Sequence, residues 1–133
     1  MARYRPGAVL RAASKAPMVF GRPWRVPQEW LADQYRRALD GQFLPATLRS
    51  LRSQVGVWGQ RRVVLDELST LSLPTLVLWG TSDRVVPLAH GRAAVARMPA
   101  GRLRVLDGLG HLPQVEDPDR VAMELRGFLD ALR

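Results

Sequence analysis

Two glycine-containing stretches of this sequence carry the residue types that acid–base chemistry needs. Gly80-Thr81-Ser82-Asp83-Arg84-Val85-Val86-Pro87 holds a carboxylate, and Asp107-Gly108-Leu109-Gly110-His111-Leu112-Pro113 holds an imidazole. An imidazole titrates near neutrality, so it can take a proton from a hydroxyl and return it to a leaving group. A buried carboxylate bonded to that ring fixes its tautomer and stabilises the imidazolium. Taken singly, Asp83 reads as a turn aspartate and His111 as a loop histidine with a satisfied hydrogen bond. Only their joint placement, at the ends of two successive predicted strands, gives the chemical reading its weight. The other candidates have plainer roles: His90 is a surface or packing residue early in a helix, Glu116 belongs to a helix entry, and Trp24, Trp30, Trp58 and Trp79 are packing residues.

The elements that would position the pair follow from pattern. Residues 75–79, Thr-Leu-Val-Leu-Trp, form a short apolar run bounded by Pro74 and Gly80, as expected of a parallel strand buried on both faces. Pro87 opens a helix with Leu88, Val95 and Met98 turned inward, and Pro99 and Gly101 end it. Residues 102–106 alternate arginine with apolar side chains, which predicts a strand near a sheet edge. Asp117-Pro118 is a cap and first-turn proline for a last helix bearing Val121, Leu125, Phe128, Leu129 and Leu132. Strand, helix, strand, helix is a βαβα unit with parallel strands, and its ligands belong at the carboxyl ends of those strands. If the two strands are neighbours, their ends lie roughly 5 Å apart. Asp83 and His111 could then meet across 28 positions of sequence.

Upstream, residues 1–26 are rich in Arg, Pro and Gly without sustained periodicity and read as an irregular basic lead-in. Residues 27–72 read as helical. Trp30, Leu31, Gln34, Tyr35, Ala38 and Leu39 mark a first helix ended by Gly41. Leu44, Leu48, Leu51 and Val55 mark a second, starting near Pro45. Residues 61–71 mark a short third, with Val64, Leu65, Leu68 and Leu71 apolar. Amphipathic helices of this kind cannot bury their apolar stripes alone.

The two motif segments resemble a known family. LPTLVLWGTSDRVVPLAHG is similar to the α/β-hydrolase segment that bears the triad acid, and LRVLDGLGHLPQVEDPDRVAMELRGFL to the one that bears the triad histidine. They match as G-x-x-D-x-x-x-P and G-x-G-H-x-P-x-x-E-x-P, over about 60 residues of the C-terminal half. The resemblance implies an α/β fold class: residues 73–133 would be the C-terminal βαβα portion of an α/β-hydrolase sheet, and 27–72 the helical cap segment. It implies Asp83 as the acid and His111 as the general base.

The match then stops. The family's nucleophile elbow reads G-x-S-x-G, and none of Ser14, Ser50, Ser53, Ser69, Ser72 and Ser82 has glycine at −2 together with glycine at +2. A G-x-D-x-G elbow and an early HG-type oxyanion loop are absent as well, and so are the early strands. The expectation is an incomplete fold: a hydrolase-type chain, inactive alone, that would act on an ester or similar bond in a small apolar substrate once completed by an N-terminal half. An exposed strand edge would favour self-association. The alternative is a non-catalytic binding module using that edge or the basic N-terminal half.

Composition narrows the field. Without cysteine, disulfides, thiolate metal sites and a cysteine nucleophile are excluded, and two histidines argue against a histidine-rich metal site. No cofactor or metal is expected. Net charge is +8, and residues 1–65 hold 12 basic against 3 acidic groups while 66–133 hold 8 against 9. A basic half can bind anionic polymers. Without a zinc-finger spacing or an aromatic RNA-binding run, nucleic-acid binding is not the expectation, and a solvated arginine-rich surface is. No stretch approaches the ~20 apolar residues of a membrane span. Arg11, Ser14, Lys15 and Pro17 interrupt any signal-peptide core, so the cytoplasm is the default location.

Overall fold

A computed structural model describes residues 10, 14–56, 59–60 and 65–133. They fall into two units, one containing the described residues of Met1–Lys15 and Gln28–Val64, the other Ala16–Pro27 and Leu65–Arg133. Trp58, Val64 and, within the basic lead-in, residues 1–9 and 11–13 lie outside the described residues.

The first unit is a pair of helices and a small ribbon. Helix α2 spans Gln28–Leu39, with Glu29 in its first turn and Arg36 and Arg37 in its last, charges that suit the helix dipole. Asp40 accepts from the Gln42 amide through its side chain (2.8 Å) and turns the chain into α3, Phe43–Gln54. Pro45 falls in the first turn of α3, where a missing N–H is harmless. Neither helix buries a residue fully, and Leu44, Leu48 and Leu51 are exposed. Two-residue strands β1 (Val55–Gly56) and β2 (Gly59–Gln60) pair antiparallel.

The second unit contains the sheet. Strand β3 (Thr75–Gly80) runs parallel to β4 (Gly101–Leu106), with Thr75 opposite Gly101 and Gly80 opposite Leu106. Helix α4 (Leu88–Val95) connects them and packs on both. After β4 come α5 (Pro113–Glu116) and α6 (Pro118–Asp130), with Asp117 accepting from the Arg120 amide (3.1 Å) as the N-cap of α6. Leu106, Leu109 and Val121 form the core, with Leu78 against it. The alternation of β4 places Arg102 over the Phe128 ring (6.0 Å) and Arg104 against Glu124 (3.3 Å), both partners on α6.

Three expectations differ from the structure. Strand β3 is half-buried along Thr75–Trp79 rather than buried on both faces, because β4 is its only strand neighbour among the described residues and its other edge is open. In place of an α-helix over 61–71, residues 61–64 lie outside the described set and Glu67–Thr70 forms a 3-10 turn. There Ser69 and Thr70 donate their hydroxyls to the carbonyls of Asp66 and Glu67, a local alternative to helix continuation. The third concerns the end of the lead-in. Ala16–Val19 forms a one-turn helix, α1, and Ala16 and Phe20 are buried, Phe20 at 1% exposure. Proline, glycine and arginine hide any periodicity there, yet one aromatic side chain of the segment is almost wholly buried.

Candidate active site

Because Gly80 and Leu106 are register partners, residues 81–87 and 107–112 leave the sheet side by side. The first stretch is folded by Asp83 itself. Its Oδ1 accepts from the amides of Val85 (2.8 Å) and Val86 (2.9 Å), an Asx-type turn. Trp79 Nε1 donates to the Val86 carbonyl at 3.1 Å and pins the loop to β3. The second stretch turns at Gly108, whose φ of +74° lies in the left-handed region that favours glycine. The Thr81 hydroxyl accepts from the Gly108 amide (2.8 Å) and donates to Asp107 (3.1 Å), and the Ser82 amide donates to the Leu109 carbonyl (2.9 Å). Gly80 has no room for a side chain: a Cβ would overlap the Leu109 carbonyl.

These ties bring the two predicted residues together. His111 Nδ1 lies 3.0 Å from Asp83 Oδ2. The Asp83 side chain is 5% exposed and that of His111 38%, so a nearly buried carboxylate holds a partly accessible ring. Burial pushes the Asp83 pKa up, but the Val86 amide, His111 and the Val85 amide outweigh it and leave the group below its ordinary value. An ionised Asp83 accepts Nδ1–H, so a neutral His111 keeps its lone pair on Nε2. Beside the pair lies a groove of about 120 Å³ lined by Leu78, Trp79, Gly80, Asp83, Gly110 and His111.

The remaining candidates lie elsewhere. His90 is exposed on α4. The Ser53 and Ser69 hydroxyls bond to nearby carbonyls, and Ser82 adjoins the acid in the same loop. Among the described residues no cluster of metal-ligating side chains occurs and no helix is long and apolar enough to cross a membrane. Sequence reasoning passed over Glu116. Its carboxylate accepts from the amides of Gly21, Arg22 and Gly110, so it does far more than begin a helix. The available signal was its fixed place, five residues after the histidine, in G-x-G-H-x-P-x-x-E-x-P.

A profile of the alpha/beta hydrolase family matches residues 1–124. A pimeloyl-[acyl-carrier protein] methyl ester esterase of Xanthomonas campestris is 43% identical over 126 aligned positions, covering 77% of this chain and 49% of that protein. An uncharacterized protein of Mycobacterium tuberculosis is 37% identical over 83 residues, covering 62% of this chain and 24% of its own length. The chain thus spans half or less of these curated relatives. Among solved structures, a serine hydrolase involved in carbazole degradation superposes with a TM-score of 0.79 at 19% identity, over 100% of this chain and 51% of that one. A bacterial membrane phospholipase A gives 0.75 at 24% identity, over 94% and 39%. At those identities the likeness is one of fold. With a family profile that covers most of its length, the chain belongs to the alpha/beta hydrolase family.

Proposed function

We propose that Asp83 and His111 are the acid and general base of a hydrolase site whose nucleophile lies outside these 133 residues. One observation carries this reading: a nearly buried carboxylate meets an imidazole at 3.0 Å beside the carboxyl ends of two parallel strands. With Nδ1–H held by Asp83, Nε2 takes the proton of a nucleophilic hydroxyl as its oxygen attacks an ester carbonyl. The same nitrogen then protonates the departing alcohol, and Asp83 stays ionised throughout. The substrate class is a small apolar ester or similar compound. Its support is the similarity to a methyl ester esterase and to a Pseudomonas 2-hydroxy-6-oxononadienedioate/2-hydroxy-6-oxononatrienedioate hydrolase, 39% identical over 85 residues. Residues 27–72 serve as the cap segment, residues 73–133 as the C-terminal hydrolase segment, and the protein works in the cytoplasm.

The chain alone is inactive in this reading. It has neither a G-x-S-x-G nor a G-x-D-x-G elbow. The edge of β3 left unpaired among the described residues, the exposed Leu125 and Leu129 of α6 and the exposed Leu132 just after it are surfaces that the early strands and helices of a whole hydrolase would cover. The test compares p-nitrophenyl acetate hydrolysis by the 133-residue protein and by the product of a reading frame extended upstream. The expected result is no turnover by the former, and turnover by the latter that falls about 10³-fold or more in His111→Ala. Cleavage by the short chain, abolished by the same substitution, contradicts the proposal.

The open edge of β3 also favours a second reading, a non-catalytic module that associates with itself or a partner through that edge. Upstream DNA encoding neither an elbow nor an HG-type loop, together with a dimer on size-exclusion chromatography, would select it.

A further inference from the structure

We infer that Glu116 is the positioning residue of His111, a single carboxylate that locks residues 19–22 onto the histidine loop and so fixes the ring against Asp83. The inference rests on the acid–base reading of that pair. Three backbone amides from two distant stretches converge on this one side chain. Gly110, the residue before His111, donates to Oε1 at 2.6 Å. Gly21 donates to both oxygens, at 3.1 and 3.0 Å, and Arg22 to Oε2 at 3.2 Å. A direct link runs beside this bridge, from the His111 amide to the Val19 carbonyl at 2.7 Å.

The two backbones touch. A Cβ on Gly21 would overlap the Gly108 carbonyl, and one on Gly110 would lie 2.5 Å from Gly21 N and from Val19 O. Phe20, between the clamped residues, is buried. Residues 108–111 are therefore gripped on two sides. On one side, Thr81 and Ser82 tie Gly108 and Leu109 to the acid loop. On the other, Glu116 and Val19 hold Gly110 and His111.

Only a carboxylate suits three convergent donors. An amide at position 116 would turn an NH2 group toward at least one N–H, leaving a donor facing a donor. Without the carboxylate, Gly110 would lose its tie to residues 21–22 while the His111–Val19 bond remained, so the ring could leave the Nδ1–H tautomer that Asp83 imposes.

The test is Glu116→Gln in the isotopically labelled 133-residue chain, read by amide hydrogen exchange and by ring 15N correlations of His111 at alkaline pH. The unmodified chain should show the Nδ1–H tautomer and matched protection of the Gly21, Arg22 and Gly110 amides. In Glu116→Gln the exchange of those amides should rise together by about tenfold or more, and His111 should revert toward the Nε2–H tautomer of free imidazole while the cooperative melt remains. Gly21→Ala, which pushes the same segment away with Glu116 intact, should shift the tautomer likewise. Unchanged Gly110 protection and an unchanged tautomer in Glu116→Gln overturn the inference. If neither variant folds, the unmodified chain decides: exchange of the three amides at unrelated rates overturns it, and exchange as one group supports it. None of these readings involves turnover. An inactive extended protein would sink the hydrolase reading and leave the clamp intact, and a loose Gly110 would do the reverse.

Discussion

The helical pair and the sheet unit are held by different forces. In the first, α2 and α3 bury no residue fully, and the described polar ties between side chains sit at the surface. Asp33 pairs with Arg37 and Arg36, and the Arg37 guanidinium lies 5.4 Å from the centre of the Phe43 ring. Such pairs contribute little, because water and salt screen them and long side chains lose freedom in making them. In the sheet unit, Phe20, Leu106 and Leu109 are shielded almost completely, and two carboxylates, Asp83 and Glu116, each collect backbone amides. The contrast separates tolerance from geometry. The helical pair can vary its surface at small cost, whereas the loops of the sheet unit have one arrangement in which their donors are satisfied.

The sharpest way to break this contrast is Gly80→Ala. A methyl there overlaps the Leu109 carbonyl, so the strand end and the histidine loop must separate. Overpacking of this kind costs about 3 kcal/mol or more when backbone is the obstacle, and urea unfolding followed by circular dichroism should show the loss. Next comes Leu106→Ala at a position with 0% exposure, for which about 2–5 kcal/mol is expected by the same measurement.

A smaller effect attaches to Asp83→Asn, about 1.5–3 kcal/mol at neutral pH, since hydrogen bonds to a charged acceptor are lost. Its sign with pH follows from the depressed native pKa of Asp83. The unfolded state binds this proton more readily, so the contribution is fully present above the ordinary aspartate value. It fades as pH falls through the lower native value. Acid titration of stability should therefore be shallower in Asp83→Asn than in the unmodified protein. Smallest is Asp33→Asn. The Arg37 hydrogen bond is the main influence holding Asp33 below its ordinary value, yet the site is open to solvent and the urea midpoint should stay unchanged. If Asp33→Asn destabilised as much as Asp83→Asn, the contrast between the units would fail.

Much of the sheet unit was legible in the sequence because its signals are local. Pro74, Gly80, Pro87 and Pro99 bracket β3 and α4, Asp117-Pro118 announces α6, and parallel pairing follows from strand–helix–strand order. The meeting of Asp83 with His111 was readable for the same reason: it needs only that consecutive strands be neighbours. Glu116 and residues 16–26 were misread because their partners are remote. Gly21 and Arg22 find the Glu116 carboxylate across 95 and 94 positions, and no periodicity within Ala16–Pro27 encodes that. Burial of β3 was overestimated for another reason. An apolar run reports what a strand can bury, not which neighbours are present to cover it.

The remote clamp also sets a timetable. Residues 19–22 are synthesised well before Glu116, and translation at about 5–20 residues per second leaves roughly 5–19 s between Gly21 and its acceptor. During that interval Gly21 and Arg22 have no carboxylate to donate to, and a contact closed over so long a stretch forms late for entropic reasons as well. The histidine loop therefore takes its clamped form only after Glu116 has been made, and until then residues 19–22 present an exposed aromatic that a chaperone could hold.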